Sequence, residues 1–210
     1  MSRIFNKPGI VEVHEVLRRR KGLIVHFSGA PGASDTPIRY PADLRTVIAG
    51  GAMSGVPCSV VMPGDIFTGT GERNAYGTVG VILDLRTEQS LATATRGDGG
   101  SLWSGKGDRQ FDERDLSIQD VEGTLFNRDG HNEWGIRNYV VRGLFVIKPI
   151  EICRLIETEF GTHNTIVPYS LEQVRVDFSE QRIYSFEGSD IVEEHPRGGR
   201  PLVEHQEIYR

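Results

Sequence analysis

The chain has 210 residues, enough for one large domain or two small ones that bury a core without help from disulfides or metals. Its 24 basic and 29 acidic residues give a formal net charge of −5, which argues against a surface built throughout for nucleic acid but allows a local basic groove. Cys58 and Cys153 are each flanked by apolar residues, which indicates small core residues in a reducing compartment rather than a disulfide framework or a zinc site.

The first half of the chain is predicted to contain short helices and strands separated by glycine-rich turns. Apolar runs bounded by Gly predict strands, and the segment 42–51 combines one apolar face with a Gly-Gly stop, which predicts a helix. Residues 10–20 favour a short helix, although their first half also suits a strand. The predicted strands here are 22–29, 57–65 and 77–87, and 30–41 is a predicted loop.

The second half contains one long loop and several apolar segments. Residues 96–110 hold five Gly and are long enough to be a functional loop, which we expect to be mobile without ligand. Residues 134–147 predict a strand or a tight hairpin, and the near-continuous apolar run 139–147 predicts a central strand covered on both faces. Residues 149–160 begin with Pro and carry an apolar stripe, which predicts an amphipathic helix.

Strands outnumber helices and do not alternate with them regularly. This pattern predicts the α+β class, with a mostly antiparallel, Gly-rich sheet and a few short helices. We expect a single domain over residues 1–186, followed by a polar C-terminal arm over 187–210 that is extended or forms an oligomer contact. No stretch is typical of a signal peptide or a membrane span, so we expect a cytoplasmic protein with no membrane partner.

His26 and Ser28 are the first candidate functional residues. His26 interrupts an apolar strand close to its end, and Ser28 returns to the same face two residues later. His and Ser at this spacing can both bind one sugar or amide, but a core histidine with a satisfied hydrogen bond fits the pattern equally well.

Glu133 is the second candidate, because it stands beside Trp134 at the mouth of a strand otherwise built for burial. A partly desolvated carboxylate can accept a hydrogen bond from a sugar hydroxyl and stabilise positive charge that develops next to it. Two alternatives remain open. Glu133 can belong to a solvated turn, or Asp129, His131 and Glu133 can share one face of an extended chain and bind a metal.

Three short segments carry a resemblance to a known family. A strand ending in "HFS" (26–28) is followed by "DLRTVIAGG" (43–51) and, late in the chain, by a Glu that opens a strand in "NEW" (132–134). This order resembles the ADP-ribosyltransferase fold and is most similar to DarT-like DNA ADP-ribosyltransferase toxins and related phage-defence proteins. It covers residues 22–147. The family's Ser-Thr-Ser strand has only a poor counterpart, "CSV" (58–60).

The resemblance implies an enzyme that uses NAD as substrate and transfers ADP-ribose to a nucleic-acid or protein acceptor, with a cognate antitoxin as a further partner. In such an enzyme Glu133 steadies the sugar cation, His26 holds the adenosine-side ribose and Ser28 orients the cofactor. Phe27 or Tyr40 stacks on a ring, and the loop 96–110 lies near the acceptor.

Two other functions stay open from the residues themselves. In the first, the protein is a non-catalytic β-rich binding or assembly module, and His26 and Glu133 are structural. In the second, it is a metal-dependent hydrolase that uses Asp129, His131 and Glu133. Stabilisation by NAD, by a divalent metal or by neither separates the three functions.

Overall fold

The computed structural model describes residues 8–28, 40–50, 55–64, 77–95, 111–112, 116–125, 132–159, 161–195 and 201–209. The predicted loop 96–110, most of the predicted loop 30–41, Asp129 and His131 lie outside these ranges. Of residues 111–112, 155–158 and 162–164 only the backbone is described.

Five helices are described, and each is short. Their bounds are α1 Ile10–Arg20, α2 Ala42–Ile48, α3 Ile118–Thr124, α4 Leu171–Asp177 and α5 His205–Ile208. Helices α3 and α4 begin with capping boxes, in which Ser117 and Ser170 accept hydrogen bonds from the backbone three residues later. The predictions for 10–20 and 42–51 are confirmed. None of the described helices is long and apolar enough to cross a membrane.

The described strands form one ten-stranded sheet and one two-stranded hairpin. The sheet order is β12-β11-β10-β7-β3-β1-β2-β6-β4-β5, and β8 pairs with β9. Only β7 and β10 pair in parallel among the described strands, so the predicted α+β class with a mostly antiparallel sheet is confirmed. The bounds are β1 Leu23–Phe27, β2 Val56–Val61, β3 Val79–Leu85, β4 Leu91–Thr95, β5 Phe111–Asp112, β6 Glu133–Ile136, β7 Tyr139–Val146, β8 Glu151–Thr158, β9 Gly161–Pro168, β10 Ile183–Glu187, β11 Asp190–Glu193 and β12 Leu202–Val203.

Both faces of the central strands β1 and β3 are covered. Alternation along β1 sends Ile24 into a large core with residues of α1 to α4, and sends Val25 and Phe27 into a smaller core with Ile208 of α5. We call these the helical face and the α5 face. Every side chain of β1 and β3 is buried as a result.

Strand β7 is central, as predicted, but only half of it is buried. It lies between β3 and β10, and its second half, from Gly143 to Val146, is buried. Its first half is partly exposed. A β-bulge separates the two halves, because Ile82 pairs with Gly143 whereas Leu83 pairs with Val141.

Two predictions of secondary structure are wrong. Residues 149–160 do not form an amphipathic helix, because Glu151–Thr158 is strand β8, paired over its whole length with β9. Pairing with a distant segment outweighs the helical periodicity, and Thr78 anchors the strand by donating its N–H to the Glu151 carbonyl at 2.8 Å. For residues 134–147 the hairpin alternative is wrong, since β6 pairs with β2 and β4 while β7 pairs with β3 and β10, and the strand alternative holds for Tyr139–Val146.

The described part of the C-terminal segment packs on the sheet instead of extending from it as an arm. Strands β10 and β11 form a hairpin across the predicted boundary at residue 187, and β12 extends the same sheet. Ile191, Val192 and Ile208 are buried. These few apolar residues stand among many charged and polar ones, which explains why the segment has the composition of a solvated arm.

We expect Gly80→Ala to destabilise the protein by about 2–3 kcal/mol, in the range of overpacking changes in a core. A Cβ atom at Gly80 would lie 2.4 Å from Cγ1 of Val25 and 2.7 Å from the carbonyl oxygen of His26. Denaturant unfolding measures the change. Gly9→Ala is the control, because a Cβ atom at Gly9 would lie 3.6 Å from its nearest neighbour, Oε2 of Glu12, which is an ordinary van der Waals distance. Equal stability of the two variants would contradict this packing.

Candidate functional site

Two of the three segments that carry the family resemblance, together with the poor counterpart "CSV", lie on three adjacent strands, whereas "DLRTVIAGG" begins in helix α2. "HFS" is at the end of β1, "CSV" lies in β2, and the Glu-Trp of "NEW" opens β6. Strand β2 pairs with β1 through Val25 and Ser59 and with β6 through Cys58 and Trp134. Since neighbouring strands are about 4.8 Å apart, β1 and β6 are separated by about 10 Å.

His26 is a buried, neutral histidine that ties β1 to β2. Its side chain is on the helical face, and its Nδ1 lies 2.8 Å from the Pro57 carbonyl oxygen. Because a carbonyl only accepts, Nδ1 carries the proton and Nε2 keeps the lone pair. Burial lowers the pKa of His26 below 6.5, and the Pro57 carbonyl and the negative charge of Asp43 offset this only in part.

We expect the free energy of unfolding of His26→Gln to fall less steeply at acid pH than that of the wild type. The unfolded chain binds a proton at His26 near pH 6.5, whereas the folded chain does so only at lower pH. The neutral histidine therefore contributes stability above pH 6.5 that is lost as the pH falls, by at most about 1.4 kcal/mol per pH unit. Unfolding free energies between about pH 7.5 and about pH 5.5 measure this. A slope equal to that of the wild type would contradict it.

Ser28 uses its hydroxyl within the protein. The Ser28 Oγ donates to Asp43 Oδ2 at 2.8 Å, and the side chain is fully buried. Asp43 is in the first turn of α2, so this bond fixes α2 to the end of β1. His26, Ser28 and Asp43 thus form one structural cluster on the helical face.

Phe27 and Tyr40 both pack against protein rings. Phe27 is on the α5 face with its ring edge-on to Phe145. Tyr40 packs edge-on against Tyr169 and Phe178, and its hydroxyl donates to Asp177 Oδ2 at 2.9 Å. Burial, together with this carboxylate, raises the pKa of Tyr40 well above its ordinary value. Stacking on a nicotinamide would require either ring to leave this packing.

The segment Asn132-Glu133-Trp134 is anchored on both sides of the glutamate. The Asn132 side chain accepts from the Val60 N–H at 2.6 Å and donates to the Val60 carbonyl at 3.0 Å. Trp134 is completely buried on the helical face, and its indole N–H donates to Thr124 Oγ1 at 2.9 Å. Glu133 itself is half-buried.

Glu133 belongs to a polar strip on the α5 face of β2, β6 and β4. It pairs with Thr95, and the register of β2 with β6 brings Ser59 beside it. Thr95 Oγ1 donates to the Glu133 carbonyl at 3.1 Å, and Thr93 Oγ1 accepts from the Gly135 N–H at 3.2 Å. We call Ser59, Thr93, Thr95 and Glu133 the Glu133 strip. A hydroxyl-lined carboxylate of this kind suits the binding of sugar hydroxyls.

His26 and Glu133 leave the sheet on opposite faces. His26 alternates with Val25 and so shares the helical face with Val81, its partner on β3. Trp134 is on that same face, which sends Glu133 to the other. The charge of Glu133 is still felt across the sheet. Burial raises the pKa of the Cys58 thiol, and the negative charge of Glu133 raises it further. One cleft on one face of the sheet does not hold both residues.

The metal alternative gains no support from the described residues. No group of three His, Cys, Asp or Glu side chains in the described ranges could hold a metal ion. Asp129 and His131, which the alternative needs, lie outside those ranges.

A second charged cluster is buried where β1 begins and β3 ends. Asp84 of β3 accepts from Arg142 Nε at 3.0 Å and from its NH2 group at 2.5 Å. His14 Nε2 of α1 lies 2.9 Å from the other Asp84 oxygen, but neither atom has a well-aligned hydrogen-bond partner among the described residues. Arg142 is the extra residue of the β7 bulge, and Tyr209 stacks on the His14 ring.

Sequence reasoning missed Asn132, Thr95, Asp43 and the Asp84 cluster. Asn132 had a usable signal, because a side-chain amide just before a strand can replace a backbone pair. The others had none, because their partners are distant along the chain.

The comparisons with known proteins leave the geometry to be interpreted on its own. No family model, no curated protein and no solved structure matches this chain.

Proposed function

We propose that the protein is an NAD-dependent ADP-ribosyltransferase in which Glu133 stabilises the reacting sugar. The observation that carries the proposal is a half-buried carboxylate in a hydroxyl-lined strip, on a strand fixed at Asn132 and Trp134. The adjacency of "HFS" on β1, the counterpart "CSV" on β2 and "NEW" at β6 supports it further.

The proposed reaction breaks the bond between nicotinamide and ribose. The bonding electrons leave with nicotinamide, and the ribose becomes an oxocarbenium-like cation. A carboxylate beside such a cation stabilises it, as in glycoside hydrolysis. A nucleophilic oxygen or nitrogen of the acceptor then bonds to the ribose carbon and loses its proton. Glu133 accepts a hydrogen bond from a ribose hydroxyl and supplies the negative charge.

The geometry changes the roles that the resemblance gives to the other residues. Ser59 and Thr95 lie beside Glu133; Ser59 offers its hydroxyl to the cofactor, and the Thr95 hydroxyl holds the Glu133 carbonyl. His26 and Ser28 instead hold β1 to β2 and α2 through Pro57 and Asp43. The acceptor in the proposal is a nucleic acid or protein, with a cognate antitoxin as partner, as in a cytoplasmic toxin or phage-defence effector.

A second candidate function is a non-catalytic binding or assembly module. The opposite faces of His26 and Glu133 favour it, because they separate the two side chains that a family-type NAD cleft would bring together. The use of Ser28 and Tyr40 in hydrogen bonds to Asp43 and Asp177 favours it as well.

The deciding experiment measures NAD binding and nicotinamide release by the wild-type protein. At a concentration of 100 times Kd, NAD should stabilise the fold by about 2.7 kcal/mol. For a chain of this length that raises Tm by about 5–10 °C. Nicotinamide release is measured with a nucleic-acid and protein extract as acceptor. Stabilisation by a divalent metal alone would favour the hydrolase, and no response to NAD or metal would favour the binding module.

A further inference from the structure

We propose that Asn132 is a positioning residue that sets the place of the Glu133 carboxylate. This inference rests on the proposed function of Glu133. It concerns a residue that does not touch the reacting atoms and acts through the backbone of its neighbour.

The side chain of Asn132 takes the place of a strand residue. In an antiparallel pair, one residue donates and accepts through its backbone N–H and carbonyl. Here the Asn132 side-chain amide does both, accepting from the Val60 N–H at 2.6 Å and donating to the Val60 carbonyl at 3.0 Å. The side chain is buried, so water does not compete for either bond.

These two bonds hold the backbone on the N-terminal side of Glu133, and two further contacts hold the backbone at Glu133 itself and at the residue after it. Trp134 holds the following position through its buried ring and its bond to Thr124. Thr95 Oγ1 donates to the Glu133 carbonyl. None of these three contacts uses the carboxylate. They hold the backbone of Glu133 and so set the point and the face from which its side chain leaves the sheet.

Only an amide satisfies both Val60 groups at neutral pH. An ionised aspartate has the same shape but only accepts, so it would face the Val60 carbonyl oxygen without a donor. A protonated aspartic acid has one donor and one acceptor and restores the pattern. Among the described residues, two titratable groups lie near the amide: Glu133 follows Asn132 directly, and Cys58 is two residues before Val60 on β2.

The test compares nicotinamide release from NAD by Asn132→Ala, Asn132→Asp, Glu133→Gln and the double variant Asn132→Ala/Glu133→Gln. Loss of positioning should lower kcat of Asn132→Ala by on the order of 10²-fold, with little change in KM. The double variant should be no slower than Glu133→Gln, because Asn132 acts only through Glu133. Activity of Asn132→Asp relative to wild type should rise as the pH falls and the introduced carboxyl group becomes protonated.

Three results would overturn the inference. The first is wild-type kcat in Asn132→Ala. The second is a double variant whose loss is the product of the single losses, which indicates a general structural role. The third is an Asn132→Asp profile parallel to wild type, and this variant keeps the test decisive if Asn132→Ala does not fold. A wild-type protein that releases no nicotinamide overturns the proposed function itself, and the inference with it.

Discussion

Glu133→Gln should lower the rate of nicotinamide release from NAD by on the order of 10²-fold or more while the melting temperature stays nearly unchanged. The substitution keeps the shape of the side chain and removes the charge that, in the proposed reaction, stabilises the developing cation. Strand β6 should keep its place in the sheet, because Asn132, Trp134 and Thr95 hold it through contacts that do not involve the carboxylate.

Glu172→Gln is the matched control. Glu172 is on α4, its side chain is 76 % exposed, and its pairing with Arg175 is a surface contact. Both variants are assayed for nicotinamide release and melted under the same conditions. A Glu133→Gln protein with wild-type activity, or one that loses activity only because it unfolds, would make Glu133 a structural residue.

Helices and strands could be predicted from the sequence where a local signal, such as a run of apolar residues or a glycine stop, is strong. The run "GLIVHFSG" indicated β1, and "ADLRTVI" with its Gly-Gly stop indicated α2, because burial and capping signals there are local. The segment "PIEICRLIETEF" misled for a physical reason. Its apolar spacing fits a helix, but pairing with β9 and anchoring by Thr78 decide its conformation.

The sequence predicts which strands carry the candidate site, but it does not predict which face each side chain is on or which residues lie beside it. The alternation of His26, Phe27 and Ser28 was visible in the sequence, but which face points to the helices depends on how α1 to α4 pack, and α3 and α4 are distant along the chain. Likewise, Glu133 was recognisable as an unusual strand opening, whereas its neighbours Ser59 and Thr95 are set by the register with β2 and β4. Register follows from long-range pairing, which short motifs do not encode.

The Asp84 cluster also depends on long-range contacts that the sequence does not reveal. Its loss is expected to have the largest effect on stability. In the sequence, Asp84 interrupts the apolar run "VGVILDL" without any visible partner. In the fold it is 3 % exposed and joins His14 from α1 with Arg142 from the β7 bulge. The bulge brings Arg142 to Asp84, as bulges commonly redirect a side chain.

Asp84→Ala should destabilise the fold by about 3 kcal/mol or more, because it leaves the Arg142 guanidinium in a largely buried site without its counter-charge. Urea unfolding measures the loss. The control is Asp190→Ala, which removes the pair of Lys21 and Asp190 at side chains that are 47 % and 52 % exposed. That change should cost less than about 1 kcal/mol.

The double variant Asp84→Leu/Arg142→Leu separates the value of the charge pair from the cost of breaking it. Replacing both partners of a buried ion pair by apolar side chains is often close to neutral, whereas removing one leaves the other desolvated and unpaired. The double variant should therefore be more stable than Asp84→Ala, and the cycle completed with Asp84→Leu and Arg142→Leu gives the coupling energy. If Asp84→Ala cost no more than Asp190→Ala, the ion cluster would not contribute to stability, and the contacts that join α1, β3 and β7 at Asp84 would have no energetic role in the fold.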